Sequence, residues 1–144
     1  MKKSRIMVIG AVGAGKSTLV KRLKGNMCTA TKTQSLEFTS DTIDTPGEFA
    51  ENPFYYRALF ATSLETDILV FIHDATKKHS AFPPGFAGAF SKTCIGVISK
   101  IDHPEADLEK AQGILKGLGF TGQIYPVSAL TGEGIRELKK ALKW

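Results

Sequence analysis

The chain of 144 residues has the length of one domain, which is enough to bury a conventional hydrophobic core. Its content of 42% hydrophobic and 23% charged residues excludes disordered and fibrous proteins. Its net charge of +5 comes from basic residues spread in ones and twos, without interleaved aromatic residues, so the sequence predicts no binding to nucleic acid.

Three apolar runs along the chain predict buried strands. They cover residues 6–9, 68–72 and 94–98 and contain almost no polar side chains, which is typical of parallel strands buried on both faces. A further strand is expected over 124–127. The longest run falls far below the ~20 apolar residues that cross a bilayer. We therefore expect a cytoplasmic protein without membrane insertion.

Helical patterns lie between these strands. Asn52 and Pro53 provide a capping residue and a proline suited to a first turn, which predicts a helix over 53–63. Apolar residues recur at spacings of three and four over 108–118 and 135–142. This periodicity is expected of helices that pack one face against a sheet.

The stretch 76–92 has no regular pattern. Its Pro83-Pro84-Gly85 segment excludes a continuous helix, so we expect a loop with a short helix over 86–90. The alternation of strands and helices elsewhere predicts an α/β fold. We expect residues 1–144 to form a single domain of three layers around a mostly parallel, six-stranded sheet.

A phosphate-binding pattern, G-x-x-x-x-G-K-[ST], begins at Gly10 and ends at Ser17. It follows the first predicted strand and opens a helix, which is the context that the pattern requires. Glycines let backbone N–H groups face the phosphates, and the helix N-terminus adds partial positive charge. We expect Lys16 to reach the β and γ phosphates as a catalytic group and Ser17 to bind Mg²⁺. The predicted phosphate-binding residues are Gly10, Gly13, Ala14, Gly15, Lys16, Ser17 and Thr18.

The segment Asp44-Thr45-Pro46-Gly47 follows another predicted strand. The carboxylate of Asp44 can hold the Mg²⁺ shell through water, so we predict that it is a metal ligand. The backbone N–H of Gly47 can contact a γ phosphate, which would make this segment a sensor of the nucleotide state.

Two short segments predict the base of the nucleotide. Ser99-Lys100-Ile101-Asp102 follows a buried strand and resembles the [NT]-K-x-D element of GTPases. There the carboxylate, here Asp102, accepts two hydrogen bonds from guanine, and the lysine stem, here Lys100, packs on the base; adenine offers no such pair of donors. Ser128 and Ala129 resemble the companion loop whose backbone N–H meets guanine O6. The expected ligands are GTP and GDP with Mg²⁺.

Together these segments resemble the translation-factor-related small GTPases, a superfamily of P-loop NTPases, along almost the whole chain. With Lys32-Thr33-Gln34 and Val97-Ile98-Ser99-Lys100, they are most similar to the bacterial ethanolamine-utilisation and propanediol-utilisation small GTPase-like family. That resemblance implies a cytoplasmic protein associated with a bacterial microcompartment. It also implies that Thr33 contacts Mg²⁺ and the γ phosphate, with Thr29 and Thr31 as alternatives.

The chain departs from the GTPase pattern after Gly47. Many GTPases place there a glutamine that orients the attacking water, whereas this chain has Glu48. A carboxylate beside a polyanion is a poor substitute, because it acts as a base only with a raised pKa. We therefore assign Glu48 to the catalytic site and predict slow GTP hydrolysis.

A second departure, Ser99, leaves other functions open. Serine keeps a hydroxyl but lacks the amide that usually ties the base loop to the phosphate loop, so ATP could also be accepted. The phosphate loop would then serve an ATP-dependent phosphotransferase of the acetate kinase type. Alternatively, aromatic residues crowd the segment from Glu48 to Phe60, and this segment could contact shell or metabolic-enzyme proteins in a nucleotide-gated assembly module.

Overall fold

The computed structural model describes residues 4–11, 13–24, 37–38, 42–45, 47, 49, 52–120 and 122–144. Within these ranges the strands form one six-stranded sheet in the order β2-β3-β1-β4-β5-β6. The strands are β1 (Ile6–Ile9), β2 (Glu37–Phe38), β3 (Thr42–Asp44), β4 (Ile68–Asp74), β5 (Thr93–Ser99) and β6 (Ile124–Pro126). Only the β2–β3 pair among them is antiparallel. The predicted mostly parallel α/β sheet is therefore confirmed.

Three helices lie between strands along the chain and a fourth follows the last strand, in the segments where helices were predicted. They are α1 (Lys16–Leu23), α2 (Tyr56–Ser63), α3 (Leu108–Lys116) and α4 (Ile135–Leu142). Two single 3₁₀ turns cover Pro53–Tyr55 and Phe86–Ala89. The side chain of Asn52 accepts a hydrogen bond from the Phe54 N–H at 3.0 Å, which confirms the predicted cap. Among the described residues, no helix combines the length and the apolar content that crossing a membrane requires.

The core has two halves, one on each face of the sheet. Every residue of β4 is buried, and successive side chains point to opposite faces. Phe71 joins Leu115 of α3 in one half, whereas Val70 and Ile72 join the half that includes residues of α1 and α4. This arrangement accounts for the strongly apolar runs of the sequence, since both faces of the central strands are covered.

The irregular stretch 76–92 packs its aromatic side chains into the core. The ring centroids of Phe82, Phe86 and Phe90 lie 5.5, 6.1 and 5.6 Å from that of Phe71. Gly85, with φ of +74°, precedes the 3₁₀ turn Phe86–Ala89, which confirms the short helix expected over 86–90. The segment is held by edge contacts between aromatic rings, each of which contributes about 0.5–1.5 kcal/mol beyond burial.

Two glycines allow a direct test of this fold. Gly134 has φ of +78°, and a Cβ atom there would overlap the carbonyl oxygen of Pro126. We expect Gly134→Ala to lower the free energy of unfolding by more than about 2 kcal/mol. Gly113 lies on the exposed side of α3 with open space around it, so Gly113→Ala should raise stability by about 0.5–1 kcal/mol. Chemical denaturation of both variants measures these two changes in the free energy of unfolding. If both changes had the same sign, the packing described around Gly134 and Gly113 would be contradicted.

Candidate functional site

The predicted site residues that the structure describes lie at one edge of the sheet, where the parallel strands end. The phosphate loop follows β1, Asp44 ends β3, and Ser99 ends β5 and is followed directly by Lys100. Because parallel strands present their carboxyl ends at the same edge, segments far apart in the chain converge there. The pairing of Val8 with Asp44 sets β3 beside the strand that leads into the loop.

Left-handed glycines shape the phosphate loop. Gly13 and Gly15 have φ of +79° and +93°, a region that other residues rarely adopt. At Gly10 a Cβ atom would lie 3.0 Å from the carbonyl oxygen of Ile72 on the adjacent strand, so the loop leaves the sheet without room for a side chain. Gly15 then caps the N-terminus of α1. The contact of this loop with phosphates stays a prediction.

The ammonium group of Lys16 lies inside this loop. Its Nζ atom donates hydrogen bonds to the carbonyl oxygens of Gly10 at 2.9 Å and Ala11 at 3.0 Å. The residue is only 7% exposed although it carries a charge. Buried charges require partners, so the loop holds its cation where phosphate oxygens could bind.

The donors available for Mg²⁺ are hard oxygen atoms. Ser17 is partly buried in the first turn of α1, and Asp44 ends β3 beside β1. The next residue, Thr45, is fully buried and its hydroxyl donates to the carbonyl oxygen of Val8 at 2.8 Å, which fixes the start of the predicted sensor segment. A serine hydroxyl and a carboxylate fit Mg²⁺, which commonly keeps several waters.

Parts of the predicted metal and catalytic site lie outside the described residues. Thr33 and Glu48 are in this position, and of Asp44 the structure describes the backbone alone. Gly47 is described and buried. The roles assigned to these four residues stay predictions.

Three of the four predicted base-binding residues, Lys100, Asp102 and Ala129, line one cavity of about 350 Å³, which we call the base cavity. It is bounded by Gly15, Thr18, Leu19, Ser99, Lys100, Asp102, His103, Val127, Ala129 and Leu130. Ser128 stands behind Asp102: its hydroxyl donates to the Asp102 Oδ1 atom at 2.7 Å and accepts from the Thr131 N–H at 3.0 Å. This bond orients an exposed carboxylate at the cavity while the serine itself is fully buried. Ser128 therefore acts on Asp102 through its side chain, whereas the sequence indicated a role only for the backbone of this loop.

Lys100 connects the base cavity with the phosphate loop. It adopts a left-handed backbone with φ of +60°, and its Nζ atom donates to the Gly13 carbonyl oxygen at 2.7 Å. The same ammonium pairs with Asp74 at 3.0 Å. Burial raises the pKa of the Asp74 carboxyl, but hydrogen bonds from Thr76 and Lys100 outweigh it and hold this pKa below its ordinary value.

Asp74 is thus a site residue that the sequence analysis missed. Its carboxylate is 4% exposed at the end of β4 and accepts from both the N–H and the hydroxyl of Thr76, at 2.8 and 2.7 Å. It anchors Lys100 over the loop. The available signal was its place at the carboxyl end of a buried strand, since ligands bind there in parallel sheets.

The Ser99 hydroxyl makes the link between the base loop and the phosphate loop, although the sequence suggested that this link was lost with the usual amide. It donates to the Ala14 carbonyl oxygen at 2.7 Å and lies 3.4 Å from that of His73, in a buried position. One hydroxyl therefore links the base loop with the phosphate loop directly. The expectation of a weakened tie is corrected, because the two loops are close enough for the shorter side chain.

We expect Ser99→Ala to lower the free energy of unfolding by about 1–3 kcal/mol, because the buried Ala14 carbonyl oxygen loses this donor. Nucleotide affinity should fall as well, since the two loops would be held less firmly. Ser91→Ala is the matched control, because Ser91 is exposed. Chemical denaturation measures the difference, and equal stability of the two variants would contradict the role of the tie.

The aromatic segment that leads into α2 and continues within it divides into buried and exposed members. Tyr56 and Phe60 pack towards the core, with ring centroids 4.8 and 4.6 Å from those of Phe86 and Phe90. Phe54, in contrast, is 81% exposed. The second half of the segment therefore packs against the core, whereas the first half leaves the apolar ring of Phe54 on the surface.

Comparisons with known proteins match most of the chain. The model of a family described as ethanolamine utilisation and propanediol utilisation matches residues 2–144. "Probable acetate kinase EutP" of Salmonella typhimurium is 40% identical over 136 residues, which cover 93% of this chain and 86% of that protein. "Propanediol utilization protein PduV" of Citrobacter freundii is 40% identical over 93% of this chain and 89% of its own length. Era of Aquifex aeolicus, solved bound to GDP.AlF4-, has a TM-score of 0.66 at 24% identity and covers 100% of this chain and 57% of its own, which shows the fold.

Proposed function

Because the chain belongs to the ethanolamine-utilisation and propanediol-utilisation family, whose model matches residues 2–144, we propose that it is a Mg²⁺-dependent guanine-nucleotide-binding protein that hydrolyses GTP slowly. One observation carries the proposal: the Asp102 carboxylate is oriented by the Ser128 hydroxyl at 2.7 Å, beside a cavity of about 350 Å³ next to the phosphate loop. A phosphate loop alone is compatible with ATP or GTP, whereas this carboxylate distinguishes the bases.

Base selection follows from the hydrogen-bonding groups of the purines. Guanine presents N1–H and N2–H₂ as adjacent donors, which complement an ionised carboxylate. Adenine presents an acceptor at N1 and has no amino group at C2, so it would leave Asp102 without a donor. A site that must hydrogen-bond one ligand rejects the analogue that lacks the partner group. Leu130, which is 78% exposed at the edge of the cavity, can cover the base.

The phosphates and the metal would bind along the loop. Lys16 supplies the charge, the N–H groups around Gly13 and Gly15 supply donors, and Ser17 with Asp44 would hold Mg²⁺. When bound, this cation neutralises charge that develops on the phosphate oxygens. Thr33 and Gly47 would contact the γ phosphate and make the structure of the sensor segment depend on it.

Slow hydrolysis follows from Glu48, which stands where many GTPases have glutamine. A glutamine amide can orient the attacking water without bringing a negative charge to the phosphates. We expect Glu48→Gln to raise the single-turnover rate of GTP hydrolysis by about tenfold or more. Release of phosphate measures the rate, with GTP affinity as the control. Fast hydrolysis by the natural chain that survives Glu48→Ala would contradict this role.

In the cell we propose a nucleotide-controlled module in ethanolamine or propanediol utilisation, placed in the cytoplasm at a bacterial microcompartment. The segment from Glu48 to Phe60 would contact a shell protein or a metabolic enzyme. The exposed ring of Phe54, in T-shaped contact with Tyr55 at 5.3 Å, supports this role. Because the segment follows the sensor glycine, the contact should require GTP and disappear with GDP.

A second candidate is phosphoryl transfer from a nucleoside triphosphate to a small carboxylic acid. Two observations favour it: a relative 40% identical to this chain is named a probable acetate kinase, and a second cavity adjoins the phosphate loop. In this reaction a carboxylate oxygen attacks the γ phosphorus, and the bond to the bridging oxygen breaks. Its electron pair leaves with the nucleoside diphosphate, and an acyl phosphate forms without loss or gain of a proton.

Calorimetric titration of the nucleotide-free chain with GTP, GDP and ATP, each with Mg²⁺, tests the proposal. Guanine nucleotides should bind at least about a hundredfold more tightly than ATP. Equal or preferred binding of ATP would remove the base-reading role from Asp102 and favour the phosphotransferase. Omission of Mg²⁺ should weaken GTP binding, and unchanged binding would contradict the metal assignment.

A further inference from the structure

Basic residues that are scattered along the sequence converge on a third cavity, of about 510 Å³. It lies between the end of α1 and one side of α4, and we call it the α1–α4 cavity. Four of the residues that line it are cationic and none is acidic. The fold therefore concentrates positive charge that the sequence shows only in ones and twos. The lining consists of Arg22, Gly132, Ile135, Arg136, Lys139, Lys140 and Trp144.

The α1–α4 cavity is separate from the predicted nucleotide site. It shares no lining residue with the base cavity or with the cavity that adjoins the phosphate loop. Arg22 follows Lys16 by six residues in α1, which is about 9 Å along the helix axis. Gly132 lies beyond the predicted base-binding residues, and its N–H donates to the Ser128 carbonyl oxygen at 2.8 Å. A ligand in this cavity would therefore leave the predicted place of the nucleotide open.

The three cations that α4 contributes repel one another. Lys139 and Lys140 follow Arg136 by three and four positions, so all three side chains share one face of the helix. None of them has a side-chain hydrogen bond or ion pair among the residues that the structure describes. The neighbouring Glu133 and Glu137 are exposed, lie outside the lining and likewise form no ion pair within this part of the chain.

This arrangement costs stability in the free chain. Like charges at spacings of three and four destabilise a helix, and Arg136 stands in the first turn of α4, where the helix dipole disfavours a cation. Four cations around one concave surface also raise the local concentration of anions. A bound anion would remove the repulsion and gain several charge-assisted hydrogen bonds at once.

The remaining walls of the cavity are fixed by the fold. The Trp144 indole N–H donates to the Ser4 carbonyl oxygen at 2.9 Å, and the Trp144 backbone N–H donates to that of Lys139 at 2.9 Å. Gly132 has φ of +89°, and a Cβ atom there would overlap the guanidinium of Arg22, so glycine leaves room for this group. A guanidinium that is already in position loses less conformational freedom when it binds an anion.

The charge of the cavity selects the class of anion. Four cationic groups exceed the charge of one carboxylate or one phosphate ion, whereas a chain of two or three phosphates can neutralise them. Arginine presents a planar fork that matches phosphate oxygens, and lysine binds phosphate as a point charge. Ile135 is only 8% exposed and Trp144 is partly buried, so a lipid chain would find little apolar surface here.

We propose that the α1–α4 cavity binds an oligophosphate, a chain of two or three phosphate groups. The chain is either free or part of a nucleotide whose base packs on the exposed part of the Trp144 ring. In both cases the phosphates lie between the guanidinium groups of Arg22 and Arg136 and the ammonium groups of Lys139 and Lys140.

Titration of the full chain with tripolyphosphate, pyrophosphate, orthophosphate and citrate, without Mg²⁺, tests the proposal. Because the phosphate loop can also attract these anions, the titrations use a Lys16→Ala background and, separately, the natural chain saturated with GDP. In both, Arg136→Ala with Lys140→Ala should weaken tripolyphosphate binding by about tenfold or more. Tripolyphosphate should bind at least about tenfold more tightly than orthophosphate, and pyrophosphate more tightly than citrate, whose charge at pH 7 is similar.

The matched control is Lys110→Ala with Lys116→Ala, which removes the same charge from exposed positions of α3 outside the lining. It should change tripolyphosphate affinity by less than about twofold, because distant surface charges are screened. Thermal unfolding adds a readout that a structural role would not give. The free Arg136→Ala, Lys140→Ala variant should have a Tm about 1–2 °C above that of the natural chain, because a repulsion is removed.

Comparison of ADP with pyrophosphate in the Lys16→Ala background distinguishes the two sources of the phosphate chain. Tighter binding of ADP identifies a nucleotide, and equal or weaker binding identifies a free oligophosphate. Absence of tripolyphosphate binding, tighter binding of citrate than of pyrophosphate, or equal affinities of the double variant and its control would overturn the proposal. Because the compared variants differ only at the α1–α4 cavity and on α3, these outcomes are independent of whether the chain hydrolyses GTP.

Discussion

Replacing Lys16 by alanine is expected to lower the affinity for GTP and GDP by on the order of a thousandfold. The ammonium is buried in the phosphate loop and donates to the carbonyl oxygens of Gly10 and Ala11 at 2.9 and 3.0 Å. A bound nucleotide would find this charge already in place, so contacts with two phosphates would be lost together. Titration with GTP and GDP measures the loss.

The control for this variant is Lys110→Ala, which removes one positive charge from the exposed face of α3 and should leave nucleotide affinity unchanged. It separates the local contact from the effect of net charge. Because Lys16 also bonds to its own loop, unfolding by denaturant should be measured for both variants. A folded Lys16→Ala variant with GTP affinity within about threefold of the natural chain would refute the phosphate site.

Replacing Asp102 by asparagine is expected to weaken guanine-nucleotide binding by about a hundredfold, because one of the two charge-assisted hydrogen bonds becomes a contact between donors. The same variant should gain affinity for xanthine nucleotides. Xanthine carries a carbonyl oxygen in place of the 2-amino group, which an asparagine NH₂ group can donate to. The gain distinguishes a changed base site from a damaged fold, since a misfolded chain would bind neither nucleotide.

Ser128→Ala provides a graded control for the same site. The Ser128 hydroxyl orients the carboxylate through a hydrogen bond of 2.7 Å but would not itself contact the base. Its loss should weaken GDP binding by about threefold to thirtyfold without creating affinity for xanthine nucleotides. Competition between GTP and xanthosine triphosphate measures both variants. Unchanged GTP preference in Asp102→Asn would remove the argument for guanine.

The two variants together separate the functions proposed for this chain. If Lys16→Ala loses binding to all nucleotides and Asp102→Asn changes the preferred base, the chain has a guanine-nucleotide site. If Lys16→Ala loses nucleotide binding but Asp102→Asn leaves the base preference unchanged, the phosphate site would stand and ATP would be favoured as the phosphoryl donor.

The sequence by itself determined the features whose causes are local. The strand, glycine turn and helix around residues 10–17 could be predicted because the glycines, lysine and serine of the pattern are contiguous and follow an apolar run. The buried strands could be predicted because both faces of β4 and most of β5 are covered, which leaves no polar residue to interrupt their apolar runs before their ends. The spacing of Lys100 and Asp102 likewise predicted two residues that line one cavity.

Only the tertiary structure decided how separate segments meet. The tie from Ser99 to Ala14 joins residues 85 positions apart, and the pairing of Lys100 with Asp74 depends on the register between β4 and β5. Periodicity and local motifs carry no information about such contacts, because they arise from the packing of elements that lie far apart along the chain.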